Sequence, residues 1–419
     1  MQQQKHIVFA LSKVGSGHIP EGKPCQDFSL AVDEEGLRMV VVCDGHGSKT
    51  YVRSDVGARL AAEVTKKAVM TFVKETPPEL FMGKKGAVTA RPTAEDIRRD
   101  AATETKDGTD GEDMRDSEQN LMFFTQVRDI VPQDIVITSL LRRIYSAWLT
   151  AIKEDCAKNP LNDEEKAALG NRPLVKAYGT TLMAFIETPQ YWLAFHIGDG
   201  RMVAVDDELN MTNPVPWDRN CFLNVTTSLC NNNPVRLFRY AFDGTGDFPA
   251  AVLCCSDGIE DSYGDYELAP HFLHEWYESV LAEFCQNGER ETLERMEGFF
   301  PMLSEKGSHD DISLAGIIDT EAVGKSLEVA RIKRRISEIE LLKDNTSQQM
   351  EELSRQVEEL NSKMADFSQQ KSELERRLSE MDRDPAAASS GCEGTDSGLP
   401  AGTQDDDPPA DNEADGPDS

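Results

Sequence analysis

The chain has 419 residues, which is enough for one large domain with appendages or for two or three domains. It carries 44 Lys and Arg against 75 Asp and Glu, a formal net charge of −31. Such an acidic chain repels phosphate backbones and anionic lipid, so we expect neither nucleic acid nor a membrane among its partners. The excess of carboxylates suits divalent cations, although it also serves simple solubility.

The nine cysteines are scattered and form no Cys-x-x-Cys pair. This spacing argues against a structural zinc site and against a disulfide framework. The first residues contain no apolar signal region, and no stretch approaches the ~18 apolar residues of a membrane-spanning helix. We therefore expect a reducing, cytoplasmic setting.

The first part of the chain predicts strands followed by a helix. Ile7–Leu11 and Phe28–Val32 are short strand candidates, and the continuous apolar run Leu37–Cys43 predicts a buried strand. From Asp55 to Lys74 the apolar residues recur at helical spacing. Residues 83–120 are polar, charged and punctuated by Gly, which predicts a mobile insertion.

A second amphipathic helix is predicted from Asp134 to Lys158. Strand-like segments then return, and they are Thr181–Ile186, Trp192–Ile197, Met202–Val205, Ala250–Cys255 and Ile312–Ile318. Helical sequence lies between the last two, around Pro270–Gln286 and Glu291–Phe299. Strands at both ends, with helices between them, favour an α+β fold of sheets covered by helices over a doubly wound parallel sheet.

The sequence changes character at Val329. From there to Met381 apolar residues alternate steps of three and four, and three polar residues fill the gaps in register. This frame corresponds to ~80 Å of helix, and it predicts a coiled coil over residues 321–382, in a homodimer or with a different partner helix. A single amphipathic helix lying on the preceding domain is the alternative.

The end of the chain is acidic and lacks apolar residues in any regular pattern. Residues 383–419 hold ten Asp and Glu against one basic residue, Arg383. Because a segment rich in Pro, Asp and Ser cannot bury a core, we expect a disordered acidic tail.

Three apolar strands each end in an Asp-Gly step. The acidic residues are Asp44, Asp199 and Asp257, and the pair Asp310-Asp311 precedes the last predicted strand. One Asp-Gly step is ordinary turn chemistry, but three on buried strands together with an acidic pair predict a metal site. Oxygen ligands select hard cations such as Mg²⁺ or Mn²⁺. Two such ions can share a carboxylate and a water that becomes a nucleophile near neutral pH.

Six motifs carry a family resemblance. They are Cys25-Gln-Asp27-Phe-Ser, Val42-Cys-Asp44-Gly-His46-Gly, Gly179-Thr-Thr-Leu, Ile197-Gly-Asp199-Gly-Arg201, Cys255-Ser-Asp257-Gly-Ile-Glu-Asp261 and His309-Asp310-Asp-Ile-Ser313. Their order resembles that of the type 2C metal-dependent protein phosphatases, and the Gln-Asp step is similar to bacterial members. The resemblance implies a catalytic domain over residues 1–320. It also implies a four-layer αββα sandwich of two antiparallel sheets, with a Mg²⁺ or Mn²⁺ centre at one edge.

The resemblance implies metal-binding roles for five residues. Asp44 would bridge two ions, and Gly45 would contribute its backbone carbonyl. Asp257 and Asp310 would complete the ligands of one ion. Asp199 would help to bind the third, weaker ion that many members hold.

Two further residues would act in catalysis. Asp27 would hold a metal-bound water in place. His46 would be the general acid that protonates the departing seryl or threonyl oxygen. The alternative for His46 is an ordinary polar residue of a turn.

The chain departs from the family pattern at the substrate side. The position that commonly holds a phosphate-binding Arg is Gly22, and the nearby Lys23 is the expected substitute, with His18 as a further candidate. Asp311 replaces the usual Asn, which leaves open which carboxylate of the pair binds metal. Residues 260–308 correspond to the family's substrate-side flap.

The implied activity is hydrolysis of phosphoserine and phosphothreonine in proteins by an activated water, in one in-line step without a phosphoenzyme. An aspartyl-phosphate phosphatase would need a second Asp two residues after its nucleophile, whereas Gly45 and His46 follow Asp44. The alternative from another class is a catalytically inactive scaffold that recruits partners through the coiled coil. The missing Arg supports that alternative.

Overall fold

The computed structural model describes residues 5–34, 36–88, 131–218, 221, 225–263 and 270–383. The chain divides into two units, Met1–Arg335 and Ile336–Ser419. Most of the predicted mobile insertion (residues 89–120) and nearly all of the predicted acidic tail (384–419) lie outside the described residues.

The first unit contains two antiparallel sheets. The strands of the first sheet are β1 (His6–Lys13), β7 (Arg201–Val205), β8 (Met211–Thr212), β10 (Ala251–Cys255) and β11 (Ile312–Asp319). Those of the second are β2 (Phe28–Glu34), β3 (Leu37–Cys43), β4 (Lys85–Val88), β5 (Leu182–Glu187), β6 (Trp192–Ile197) and β9 (Arg239–Asp243). Their orders are β1-β11-β10-β7-β8 and β2-β3-β5-β6-β9-β4.

Strand β3 shows why the predicted strands are continuous apolar runs. Val40 and Val42 belong to the core between the two sheets, whereas Met39 and Val41 belong to the core on the opposite face. Because side chains alternate between faces, a strand covered on both sides needs apolar residues at every position. Each fully buried side chain of this size contributes about 1.5–3 kcal/mol to folding.

Helices cover the outer face of the second sheet. They are α1 (Ser54–Glu75), α2 (Pro132–Lys158), α3 (Asp163–Leu169), α4 (Leu174–Ala177) and α5 (Pro234–Leu237). The apolar stripe of α2 is buried in the same core as α1, and the indole of Trp148 donates a 3.0 Å hydrogen bond to the carbonyl of Gly57. Helices α1 and α2 begin and end within two residues of the bounds predicted from the sequence, so both predictions are confirmed.

Helix α2 is long and apolar enough to cross a membrane when judged by length and composition alone. The sequence analysis expected no such stretch, and that expectation was wrong. Ile137, Leu141 and Ile144 of this helix are nevertheless fully buried within the first unit. Its apolar character is therefore explained by packing on α1 and the second sheet.

Helices also cover the outer face of the first sheet. They are α6 (Asp257–Tyr263), α7 (Pro270–Lys306) and the start of α8 (Thr320–Arg383), and α7 is kinked at Gly288. Tyr277, Leu281 and Phe284 of α7 are buried in one core with Phe9 of β1. The described part of residues 260–308 is thus a packed outer layer and not the expected substrate-side flap. With helices on both outer faces, the predicted four-layer sandwich is confirmed.

The first turns of α8 also belong to the first unit. Val323 and Leu327 are buried in the core between α7 and the first sheet, and the hydroxyl of Ser326 hydrogen-bonds to the carbonyl of Asp207. The unit therefore extends to Arg335 and not to the predicted boundary at residue 320. Strand β4 is a second difference, because it lies in the segment predicted to be mobile and pairs with β9.

In the second unit, the described residues continue helix α8 to Arg383. The apolar side chains at the heptad positions from Ile336 to Leu378 are exposed, with exposed fractions between 51% and 67%. Neither Pro nor Gly interrupts this stretch. The helix is as predicted, and its apolar stripe faces solvent in the single chain.

Candidate metal centre

The three Asp-Gly steps meet at one edge of the sandwich. Asp44 follows β3, Asp199 follows β6, and Asp257 follows β10 and begins α6. Each offers a carboxylate oxygen, and these atoms lie within 4.8 Å of one another. Strand ends from both sheets thus bring together three acidic residues that are far apart in the sequence.

Asp44 is fixed by the threonines of the Gly-Thr-Thr motif. Its backbone N–H donates to Oγ1 of Thr181 at 2.9 Å, and its carbonyl accepts from the Thr181 N–H at 2.8 Å and from the Thr180 hydroxyl at 2.9 Å. At Gly45, a Cβ atom would lie 2.4 Å from the carbonyl oxygen of Gln26, so only glycine fits this close approach. The sequence analysis recognised the motif but assigned these threonines no role.

Asp27 lies in the same buried region. It is 6% exposed, and its Oδ2 atom has no hydrogen-bond partner. Burial raises the pKa of the Asp27 carboxyl well above its usual value, and the neighbouring Asp311 adds to the rise. A cation or a water bound to a cation would satisfy this oxygen.

The electrostatics of the cluster have a common cause. Burial, with Asp257 as the next contribution, raises the pKa of Asp44 well above its usual value. Burial and then Asp199 raise the pKa of Asp257 to about 8. Buried carboxylates that repel one another become stable as anions when a divalent cation lies between them. An all-oxygen donor set of this kind fits Mg²⁺ or Mn²⁺.

The acidic pair before β11 divides into two environments. The Asp311 carboxylate is 2% exposed and accepts the backbone N–H groups of Gly15 at 2.6 Å and Gln26 at 2.5 Å. The carboxylate of Asp310 is exposed and accepts the N–H of Asp311 at 2.8 Å. Both oxygens of Asp311 are therefore engaged in holding backbone, whereas Asp310 retains an oxygen for a ligand. The negative charge of Asp310 contributes to the raised pKa of Asp257.

Lys23 is directed to another partner. Its ammonium group lies 2.6 Å from the carboxylate of Glu21, and its side chain is 38% exposed. The short 3-10 turn Ile19–Glu21 brings these two residues together. The predicted phosphate contact is not supported, because this charge is paired locally. His18 instead contacts Asp311, with 2.9 Å between Nδ1 and Oδ1.

His46 follows Asp44 by two residues in the chain. Its ring packs edge-on against Tyr51 with 4.6 Å between centroids, and its backbone N–H donates to the Gly179 carbonyl. Burial, with a smaller contribution from Lys176, lowers the pKa of His46 to about 4. The ring is therefore neutral at neutral pH unless an anion binds next to it.

Arg239 supports the Asp199 loop and had no signal in the sequence. This side chain is 1% exposed and donates to the carbonyls of Gly198 at 2.6 Å and Pro216 at 2.9 Å. The Thr227 hydroxyl accepts the Gly198 N–H at 3.0 Å and donates to Asp218 at 2.9 Å. The buried guanidinium group of Arg239 thus fixes the backbone just before Asp199. Strand β9, which carries Arg239, was not predicted, so the residue could not be placed.

Comparisons with known proteins identify one family. The profile of a family described as Protein phosphatase 2C matches residues 14–296. No curated protein sequence matches the chain. Among solved structures, PppA, described as a key regulatory component of T6SS in Pseudomonas aeruginosa, is 15% identical. The match covers 75% of this chain and 98% of that one, with a TM-score of 0.41.

Two further solved structures are similar. The catalytic domain of the serine threonine protein phosphatase PstP, in complex with two manganese ions, is 14% identical and covers 75% of this chain and 97% of that one, with a TM-score of 0.39. The serine/threonine phosphatase Stp1 from Staphylococcus aureus is 10% identical. That match covers 75% of this chain and 96% of that one, also with a TM-score of 0.39.

Proposed function

The chain belongs to the protein phosphatase 2C family, and we propose that it hydrolyses phosphoserine and phosphothreonine in proteins. The observation that carries the proposal is the meeting of the Asp44, Asp199 and Asp257 carboxylates within 4.8 Å. A centre of carboxylates alone is suited to hard divalent cations. We place this activity in the cytoplasm, and the described cysteines, all of them free thiols, support that setting.

Each carboxylate has a proposed role. Asp44 would be shared between two Mg²⁺ or Mn²⁺ ions, and the carbonyl of Gly45 would be a further ligand. Asp257 and Asp310 would hold one of these ions, and Asp199 would help to hold a third, weaker one. Their positions support these roles, because Asp44 is fixed by Thr180 and Thr181 and because Asp310 has a free oxygen. When bound, the ions supply a water acidic enough to attack phosphorus near neutral pH.

The chain's own side chains complete the reaction. Asp27 orients the attacking water through its unpartnered buried oxygen. The water oxygen forms a bond to phosphorus as the bond from phosphorus to the seryl or threonyl oxygen breaks, so no phosphoenzyme forms. His46 gives a proton to the departing oxygen. Since burial lowers the pKa of His46 to about 4, the negative charge of the bound phosphate must stabilise the protonated ring.

The alternative is a metal-binding scaffold without turnover. It is favoured by one observation: Lys23, the predicted substitute for the missing phosphate-binding Arg, pairs with Glu21. Turnover of para-nitrophenyl phosphate by the full chain with Mn²⁺ distinguishes the two. We expect hydrolysis that stops in excess EDTA and in Asp257→Asn, whereas an inactive protein that still binds Mn²⁺ would identify the scaffold.

We further propose that helix α8 joins two copies of the chain as a parallel coiled coil. From Val329 onward its apolar side chains are exposed along one heptad seam. In water this stripe would stay unburied on an isolated helix, and association with a like helix buries it.

Charge complementarity favours a second copy in parallel orientation. With Val329 at position a, Glu328 and Arg335 occupy g positions, and Lys333 and Glu340 occupy e positions. In a parallel, in-register dimer each g residue faces the e residue five positions later on the partner helix. Glu328 then faces Lys333, and Arg335 faces Glu340, so both pairs attract. An antiparallel pair would separate these partners, because it places e against e and g against g.

A further inference from the structure

The loop before the 3-10 turn is locked onto the segment that carries Asp310. The N–H of Gly17 donates to the carbonyl of His309 at 2.9 Å, and the N–H of Ser16 donates to the Ser304 hydroxyl at 2.8 Å. At Gly15 a Cβ atom would lie 2.3 Å from the carbonyl carbon of Asp310, so the two backbones touch. His18, the next side chain along this loop, therefore has a fixed position beside the acidic pair.

Asp311 sets which nitrogen of His18 carries the hydrogen. Its carboxylate is buried and already accepts the two backbone N–H groups of Gly15 and Gln26, so it is held as an acceptor. His18 Nδ1 lies 2.9 Å from its Oδ1 atom and donates to it. The neutral ring then has its lone pair on Nε2. Asparagine, the residue that the family usually has at position 311, would not provide the same anionic acceptor.

The surroundings of His18 indicate what Nε2 binds. One ring nitrogen of His18, one carboxylate oxygen of Asp310 and one of Asp311 lie within 4.8 Å of one another, close enough for His18 and Asp310 to share an ion. A histidine that donates one ring N–H to a carboxylate has the arrangement of most metal-ligating histidines. Its side chain is 14% exposed, which leaves room for an ion from solvent.

We propose that His18 Nε2 is a ligand of the ion that Asp310 holds, with Asp311 orienting the ring. The proposal rests on the proposed function, because it assumes that Asp310 belongs to the metal centre. It gives an otherwise all-oxygen centre one nitrogen ligand. Since imidazole suits transition metals whereas Mg²⁺ prefers oxygen, the chain should discriminate in favour of Mn²⁺ over Mg²⁺. Asp311 has the orienting role in this proposal, since both its oxygens already accept backbone hydrogen bonds.

Pulsed electron paramagnetic resonance of the full chain loaded with Mn²⁺ tests this assignment without relying on turnover. We expect modulation from a directly bound ¹⁴N nucleus, which changes to the ¹⁵N frequency when histidine is labelled with ¹⁵N. The modulation should disappear in His18→Ala and persist in His46→Ala, the matched control in the neighbouring loop. Calorimetric titration should show the ratio of Mn²⁺ to Mg²⁺ affinity falling by about 10-fold or more in His18→Ala.

Each outcome decides the question. Mn²⁺ binding without nitrogen modulation in the unmodified chain would overturn the assignment and leave His18 as an anchor of the loop. Failure of the unmodified chain to bind Mn²⁺ at all would overturn the proposed function as well, so the two failures are distinguishable. If His18→Ala does not fold, as judged by circular dichroism, His18→Gln gives the same reading, because it keeps a donor near Asp311 but removes the imidazole.

Discussion

Thr181 and Asp44 exchange two hydrogen bonds, one in each direction, at the point where β3 enters the metal centre. Such bonds determine where a carboxylate can reach, so the residues beside the ligands matter as much as the ligands. The carboxylates supply the charge, and the threonine supplies the position. Two predictions concern the replacement of single residues.

Replacement of Thr181 by Val keeps the shape of the side chain but removes the acceptor of the Asp44 N–H. A buried donor without a partner costs about 1–3 kcal/mol, so the free energy of unfolding should fall by that amount in urea titrations. The apparent affinity for Mn²⁺ should also fall. Thr188→Val is the matched control, because Thr188 is buried in a hairpin at Tyr191, away from the three clustered aspartates. Equal losses of Mn²⁺ affinity in both variants would show that Thr181 has no special role.

Replacement of His46 by Ala tests the proposed general acid. The rate on a phosphothreonine peptide should fall by about 10²–10⁴-fold, the usual contribution of proton transfer. The loss on para-nitrophenyl phosphate should be smaller, because its leaving group departs without a proton. The measurement is kcat for both substrates. The same loss on both would mean that His46 only shapes the loop next to Tyr51.

The site residues differ in how well sequence could place them. Asp44, Asp199 and Asp257 each follow an apolar run, so the pattern marks them as residues at the ends of buried strands. The phosphate contact of Lys23 stays a prediction, because a nearby Glu is an equally good partner when no phosphate is bound and local sequence does not show which one the turn brings close. The contact between His18 and Asp311 joins residues far apart in the chain, and no local pattern reports it.

At the scale of elements, burial on both faces explains which strands were predicted. β3, β5 and β6 each contain a single charged residue or histidine in an otherwise apolar run, whereas β9 begins with Arg239 and ends with Asp243 and β8 has only two residues. Short or mixed strands depend on their neighbours for stability, and their local sequence does not reveal them. The kink at Gly288 likewise joins two predicted helices into one bent element.

The coiled-coil proposal belongs to helix α8 and predicts dimers in solution. The double variant Leu353→Glu with Leu360→Glu places charge in the seam and should convert the full chain to a monomer, as measured by light scattering at micromolar concentration. Ser362→Glu with Gln369→Glu is the matched control, because it adds the same charge on the opposite side of the helix. A monomeric unmodified chain would exclude self-association. A dimer that survives the seam variant would place the interface elsewhere.

At the scale of the whole molecule, the proposed chemistry and the proposed association lie largely in different units. Every proposed metal ligand lies in Met1–Arg335, whereas most of the exposed seam lies in Ile336–Ser419. Phosphatase turnover should therefore be unchanged in the seam variant. The early turns of α8 are an exception to this division, because Val323 and Leu327 are part of the core of the first unit. Any shortened chain must keep them.

The central claim is that an activated water, and no protein nucleophile, attacks the phosphate of a phosphoserine or phosphothreonine. The most direct test is hydrolysis of a phosphothreonine peptide by the full chain with Mn²⁺ in ¹⁸O-labelled water under single-turnover conditions. We predict inorganic phosphate that carries one solvent oxygen, no phosphorylated protein on acid quench, and no release by Asp257→Asn or in excess EDTA. Trapping of a phosphorylated protein, or release that continues in EDTA, would contradict the account.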